Sequence, residues 1–80
     1  MDMNRVIKLS DLKPHQHGRV ITIQTKTHDE MSRLMVAGVL PNACINLIQN
    51  DRRNVLFFAN NDELTVDREI ASRIYVELDK

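Results

Sequence analysis

Residues 55–66 read Val-Leu-Phe-Phe-Ala-Asn-Asn-Asp-Glu-Leu-Thr-Val, and this stretch decides the fold class. Its first five residues are apolar or aromatic and predict a strand, because such side chains favour extended backbone. Asn60-Asn61-Asp62 is a polar turn, and Glu63 to Val66 is a second strand with Leu64 and Val66 directed inward. Strands joined by so short a turn are antiparallel neighbours, so the sequence predicts a β-hairpin here.

Three further strands are predicted on either side of this hairpin, at Arg19–Lys26, Ala43–Gln49 and Ile74–Leu78. β-Branched residues dominate the first of them, where the adjacent Val20 and Ile21 blur the alternation, which fits either a bulge or burial of both faces of the strand. A short polar connection at Asn50–Asn54 leads into the hairpin, which favours antiparallel pairing there as well.

One helix is predicted between the first two of these strands. Thr27-His28-Asp29-Glu30 has the form of a capping box, in which Thr27 accepts a bond from the Glu30 backbone and the Glu30 side chain reaches back. Met31, Leu34 and Met35 have helical spacing and are expected to form its buried stripe. Gly38 suits the left-handed residue that follows a helix end, so the helix is expected to finish near residue 37.

Two smaller features complete the predicted fold. Asp67 is expected to cap a short turn that runs through Ala71, and Gly18 is expected to take a positive φ in the turn that begins at Pro14. There is too little helix for the crossovers of a parallel sheet. The chain is therefore predicted to be mainly β with one short helix, a small antiparallel sheet that closes into a barrel.

Composition narrows the function classes. The chain has 80 residues, enough for a single domain over residues 1–80, and its 11 Lys and Arg balance 11 Asp and Glu. Zero net charge argues against nucleic acid as a partner. The longest apolar run is too short to span a membrane, and the N-terminus lacks the apolar segment of a signal peptide. With a single cysteine, Cys44, these features predict a cytoplasmic protein that does not insert into membranes.

Three stretches together resemble the FeoA family. Leu9-Ser10-Asp11-Leu12-Lys13-Pro14 is similar to the family's opening. The residues from Arg33 to Ala43, which contain Gly38 and a Leu-Pro-Asn turn, are similar to its helix end, turn and following strand. The segment from Leu64 to Glu77, with its final Ile-Tyr-Val-Glu, is similar to the closing segment. The resemblance covers nearly the whole chain, from about residue 9 to residue 77.

The resemblance implies an SH3-like barrel with the helix inserted after the first barrel strand. It also implies a role as a cytosolic accessory of ferrous iron transport, with the GTPase region of the permease FeoB as partner. The same module forms the C-terminal domain of repressors of the diphtheria-toxin-repressor type. This chain departs from the family pattern at His15 and Asn42, where glycine is usual, and in the short connection Asn50–Asn54.

A protein-binding surface is predicted at the helix exit. Met35, Val39 and Leu40 continue an apolar ridge beyond the helix, and methionine suits adaptable contacts. Phe57 and Phe58 are adjacent on one strand, so one of them faces the core and the other is expected to join this surface.

Metal-dependent regulation is an alternative, with His15 and His17 as weak candidate ligands for Fe(II) or Zn(II). A solvated polar turn is the favoured interpretation of these two histidines, because no cysteine or carboxylate stands close in sequence. No cofactor is firmly implied. No Ser-His-Asp order, glycine-rich phosphate loop or zinc-protease helix is present, so an enzyme is not expected. Exposed strand edges make a homo-oligomer a further expectation.

Overall fold

The computed structural model describes residues 5–79 and contains six strands and two helices. A 3₁₀ turn at Leu9–Asp11 follows the first strand. The strands are β1 (Val6–Lys8), β2 (His17–Ile23), β3 (Cys44–Asn50), β4 (Asn54–Ala59), β5 (Asp62–Asp67) and β6 (Ile74–Leu78), and the helices are α1 (His28–Val36) and α2 (Arg68–Ala71).

The strands form one antiparallel sheet in the order β1-β6-β2-β3-β4-β5. The mainly antiparallel architecture is confirmed, but the predicted closure into a barrel is wrong, because β1 and β5 do not pair with each other in residues 5–79. α2 packs against β5 and against the 3₁₀ turn after β1. α2 therefore lies between β5 and the 3₁₀ turn, the sheet remains open at its two edge strands, and the fold is SH3-like only approximately.

The core lies on the inner face of the sheet. Phe57 is its largest fully buried side chain, and Leu9 and Leu12 cover it from the N-terminal side. α1 contributes the buried Leu34, and α2 contributes Ala71. The remaining buried side chains come mainly from alternate positions of the central strands, as expected when one face of an antiparallel sheet is covered.

A polar contact fastens the N-terminal turn to the sheet. The Asn50 side-chain amide donates to the carbonyls of Ser10 and Leu12, at 2.8 Å in each case. The Arg68 guanidinium donates to the Asn50 side-chain oxygen and, at 3.1 Å, to the same Ser10 carbonyl. These bonds satisfy the carbonyl oxygens of Ser10 and Leu12 in a segment whose leucines are buried. Leaving such oxygens without a hydrogen bond would cost free energy.

An ion pair connects α1 with the segment before β6. Thr27 accepts a bond from the Glu30 backbone as predicted, but the Glu30 side chain lies 2.6 Å from the Arg73 guanidinium instead of returning to Thr27. Glu69 contacts the same guanidinium at 2.6 Å. The hydrogen bond that the Arg73 guanidinium donates to the Glu30 carboxylate raises the pKa of Arg73. Asp67, expected to cap α2, makes no side-chain capping bond.

Backbone geometry corrects the prediction of a positive φ at Gly18 and shows the backbone conformation of His15 and Asn42, where the family usually has glycine. Gly18 lies within β2 and has no positive φ; His15 takes that conformation in the preceding turn, with φ of 74°. Asn42 has φ of 75°, so both positions at which this chain lacks the family's usual glycine are left-handed. The predicted bulge is present between Val20 and Thr22 of β2, opposite β6.

No helix in the part of the chain that the structure describes is long and apolar enough to cross a membrane.

Gly18 is required because β2 and β6 approach closely beside it. A Cβ atom at this position would lie 2.1 Å from the Glu77 carbonyl oxygen, which is backbone and cannot rotate away. We therefore expect Gly18→Ala to lower the free energy of unfolding by about 3 kcal/mol, measured by urea denaturation. Thr22→Ala, an exposed position on the same strand, is the control and should change stability little. Equal stability of Gly18→Ala and the parent protein would contradict this expectation, because it would show that β2 and β6 can move apart beside residue 18 at little cost in free energy.

Candidate protein-binding surface

The end of α1 is shaped by a glycine in the left-handed conformation. Gly38 has φ of 100°, and its N–H donates to the Met35 carbonyl. The next residue, Val39, donates its N–H to the Leu34 carbonyl at 2.9 Å. This pair of bonds is the Schellman arrangement, which brings the residue after the glycine against the last turn of the helix.

Val39 therefore belongs to the core and not to the surface. Its side chain is fully buried, as is most of Leu34, the residue that its N–H faces. The Schellman turn explains the burial, because it folds the chain back so that Val39 packs under the helix end. The prediction that Val39 contributes to a partner-binding surface is thus wrong.

Four large apolar side chains remain exposed around this turn, and we call them the helix-exit patch: Ile21, Met35, Val36 and Leu40. Their exposed fractions are 44%, 48%, 89% and 38% respectively. Ile21 is on the adjoining strand β2, where the carbonyl of the preceding residue, Val20, accepts a hydrogen bond from the Asn42 N–H, two residues beyond Leu40. Met35 and Leu40 were predicted to be in this surface, and both are accessible there.

Sequence reasoning missed Val36 and Ile21. The expected buried stripe of α1 is confirmed at Leu34, and Met31 is partly buried, but Met35 is half exposed. α1 thus turns a narrower face to the core than its apolar spacing indicated, and Val36 points away from it. Ile21 is exposed because the β2 bulge breaks the alternation of the strand, a consequence that the predicted bulge could have revealed.

The two adjacent phenylalanines divide as their strand position requires. Phe57 is fully buried and cannot contact a partner, so it does not belong to the predicted binding surface. Phe58 is 37% exposed on the outer face. There it pairs with Asn46 on β3 and Glu63 on β5.

Phe58 lies in an open concavity of about 470 Å³, separate from the helix-exit patch. Its lining includes His17, Cys44, Asn46 and Asn60, but neither Met35 nor Leu40. Asn60 shapes one wall, because its side-chain oxygen accepts from the Cys44 N–H at 3.0 Å. The predicted surface therefore falls into two regions, the helix-exit patch and the concavity around Phe58.

The two candidate metal ligands face different surroundings. His15 is exposed in the turn before β2, whereas His17 Nδ1 lies 3.0 Å from an Asp79 carboxylate oxygen. Within residues 5–79 no group of three or more His, Cys, Asp or Glu side chains could hold a metal ion. Cys44 is exposed in the concavity and carries a free thiol.

A protein-family model and several solved structures match this chain. The model of the FeoA domain matches residues 7–78, and no curated protein matches the chain. The crystal structure of an iron uptake regulatory protein (FeoA) is 22% identical with a TM-score of 0.84, over 91% of this chain and 97% of that one. A FeoA protein from Chlorobium tepidum, solved by NMR, is 25% identical with a TM-score of 0.78, over 90% of this chain and 70% of that one.

A repressor also contains a similar domain. A manganese-dependent transcriptional repressor shares 11% identity with a TM-score of 0.85, and the match covers 91% of this chain but 41% of the repressor. At this identity the likeness concerns the fold alone. This chain therefore corresponds in fold to less than half of the repressor.

Replacing each phenylalanine in turn separates core from surface. Phe57→Ala should lower the free energy of unfolding by about 3–5 kcal/mol, because it leaves a cavity in the core. Phe58→Ala should cost about 1 kcal/mol or less, since this side chain remains partly in water when folded. Thermal unfolding followed by circular dichroism measures both variants. Similar losses for the two would mean that Phe58 is also part of the core and unavailable to a partner.

Proposed function

Because the chain belongs to the FeoA domain family, we propose that it is a small cytosolic accessory protein of ferrous iron transport, which acts by contact with the GTPase region of a FeoB-type permease. The family is a small accessory or regulatory type of domain linked to ferrous iron transport. The partner, the compartment and the mode of action are parts of the proposal.

The helix-exit patch is the observation that carries the proposal. Four large apolar side chains are exposed to water at the helix exit and on the adjoining strand β2, and Val36 alone is almost fully exposed. Removing such surface from water provides about 25 cal/mol for each Å² buried, so contact with a protein would be favourable. Apolar patches on otherwise polar small domains commonly mark protein–protein contacts.

The geometry of the patch also suits recognition by a larger partner. The Schellman turn and the buried Val39 fix the position of the Leu40 backbone after the helix end. This segment of the chain therefore has little conformational entropy left to lose on binding. Met35 is adaptable beside this fixed position. A partner that binds this patch in only one nucleotide state would be biased towards that state, which is how an accessory domain could modulate transport.

Leu40→Ala should weaken binding to the purified GTPase region of the permease from the same organism by about tenfold or more, because an exposed anchor side chain is lost. Isothermal titration calorimetry measures the affinity, and circular dichroism verifies that the variant is folded. Leu56→Ala, at a partly buried leucine on β4, is the matched control and should bind like the parent protein.

Two outcomes would count against this proposal. Binding that is equally strong in Leu40→Ala and the parent protein would exclude the helix-exit patch as the contact. An absence of measurable heat with the parent protein at two well-separated temperatures, at high concentration of the GTPase region, would exclude that region as the partner, because burial of apolar surface changes the heat capacity.

A further inference from the structure

β5 is a regular edge strand. All six of its residues pair with β4, from Ala59↔Asp62 to Asn54↔Asp67, without the shifts of register that occur in the β2–β6 and β3–β4 pairs. Among residues 5–79 no strand pairs with its other side, since β5 is the last in the sheet order. Edges of this kind are usually protected by bulges, short length, proline or charged side chains, and β5 has only the charged side chains, which discourage pairing with an acidic strand and leave the edge open to a basic one.

The hairpin turn determines which backbone groups of β5 point outward. Asn60 and Asn61 alone connect the strands, so Ala59 and Asp62 must exchange both hydrogen bonds of their pair. The exchange then recurs at every second residue, at Leu64 and Val66. The N–H and C=O groups of the alternate residues Glu63 and Thr65 therefore point to the free edge. Within residues 5–79 these groups have no hydrogen bond to other parts of the chain.

A groove of about 280 Å³ runs between this free edge and α1. Its apolar lining comes from both sides and from α2 at the base, with the residues Leu34, Ala37, Val39, Leu64, Val66 and Ile70. An edge strand that faces a helix across an apolar groove can accept an extended peptide, which adds as a further strand while alternate side chains enter the groove.

The charges of β5 favour a basic peptide. Asp62, Glu63 and Asp67 provide three carboxylates on a strand of six residues that has no basic side chain. Arg33 on α1 also lines the groove, but its guanidinium lies 3.6 Å from the Asp29 carboxylate, which offsets its charge. Oppositely charged residues on neighbouring strands attract, and like charges repel.

A second copy of β5 is disfavoured for the same reason. With Thr65 on a two-fold axis, Glu63 would face Asp67, and with Glu63 on the axis, two copies of Glu63 would face each other. With Leu64 on the axis, Glu63 would face Thr65, but the two paired strands would still bring six carboxylates together without a basic side chain.

We propose that the groove between β5 and α1 binds an extended segment of a partner protein, with alternating apolar and basic side chains, as a seventh strand on β5. This inference concerns a different surface from the helix-exit patch and does not depend on which protein is the partner. The backbone of Glu63 and Thr65 would supply the hydrogen bonds, and the groove would select apolar side chains at alternate positions.

The test uses selection from a library of short random peptides on the immobilised full-length domain. We expect enrichment of peptides that alternate apolar residues with Lys or Arg. Thr65→Pro should weaken their binding by about tenfold or more, because proline removes an outward N–H that the sheet itself does not use. Thr65→Val keeps this N–H and is the matched control, which should bind like the parent protein.

Two further measurements keep the test decisive if Thr65→Pro does not fold. Ala37→Trp fills the groove from the helix side without changing β5, and it should also weaken binding. Amide hydrogen exchange on the parent protein should show slow exchange at Leu64 and Val66 and fast exchange at Glu63 and Thr65, and the selected peptide should slow the latter two.

Either of two results would overturn the inference. One is a lack of enrichment over a support without the domain. The other is a set of enriched peptides that bind the Thr65→Pro and Ala37→Trp variants as tightly as the parent protein and leave exchange at Glu63 and Thr65 unchanged. Neither result bears on the permease proposal, which depends on Leu40 and is measured with the GTPase region.

Discussion

Covering the one apolar face of the sheet is the constraint on which the rest of this structure depends. Small domains bury a limited fraction of their surface, so every segment that can cover the core is needed. Leu9 and Leu12 cover it from the N-terminal turn, and Leu34 and Ala71 cover it from the two helices. Asn50 and Arg68 hold the N-terminal turn in place by bonding its backbone carbonyls. The sheet itself stays open, with β1 and β5 as its two edge strands.

The same constraint explains why the exposed apolar residues lie where they do. Phe57 and Phe58 are neighbours in sequence, but β-strand alternation sends the first into the core and the second to the outer face. At the helix exit, the Schellman turn buries Val39 and leaves Leu40 in water. Core packing therefore fixes the position of the side chains that remain available to a partner, and we infer that the binding surface is rigid for this reason.

The sequence was sufficient where local rules decide the structure. The hairpin at Asn60-Asn61, the Thr27 cap and the β2 bulge each depend on a few neighbouring residues, and all three are confirmed. Asn42 could be linked to positive φ from its residue type, because asparagine tolerates the left-handed region. His15 could be linked to it only through the glycine that the family has at this position. Barrel closure could not be predicted, because it depends on whether two strands more than fifty residues apart meet. Likewise, Glu30 pairs with Arg73, a residue that no local pattern identifies, and Val39 is buried by a turn whose packing the sequence pattern does not reveal.

The most direct test of the proposed role is an NMR titration of the ¹⁵N-labelled domain with the unlabelled GTPase region of the permease. The account predicts chemical shift changes concentrated at the helix-exit patch and the adjoining residues of β2, and little change at the buried centre of β6. A spectrum that stays unchanged at high concentration of the GTPase region would contradict the account, as would changes restricted to residues far from Met35 and Leu40.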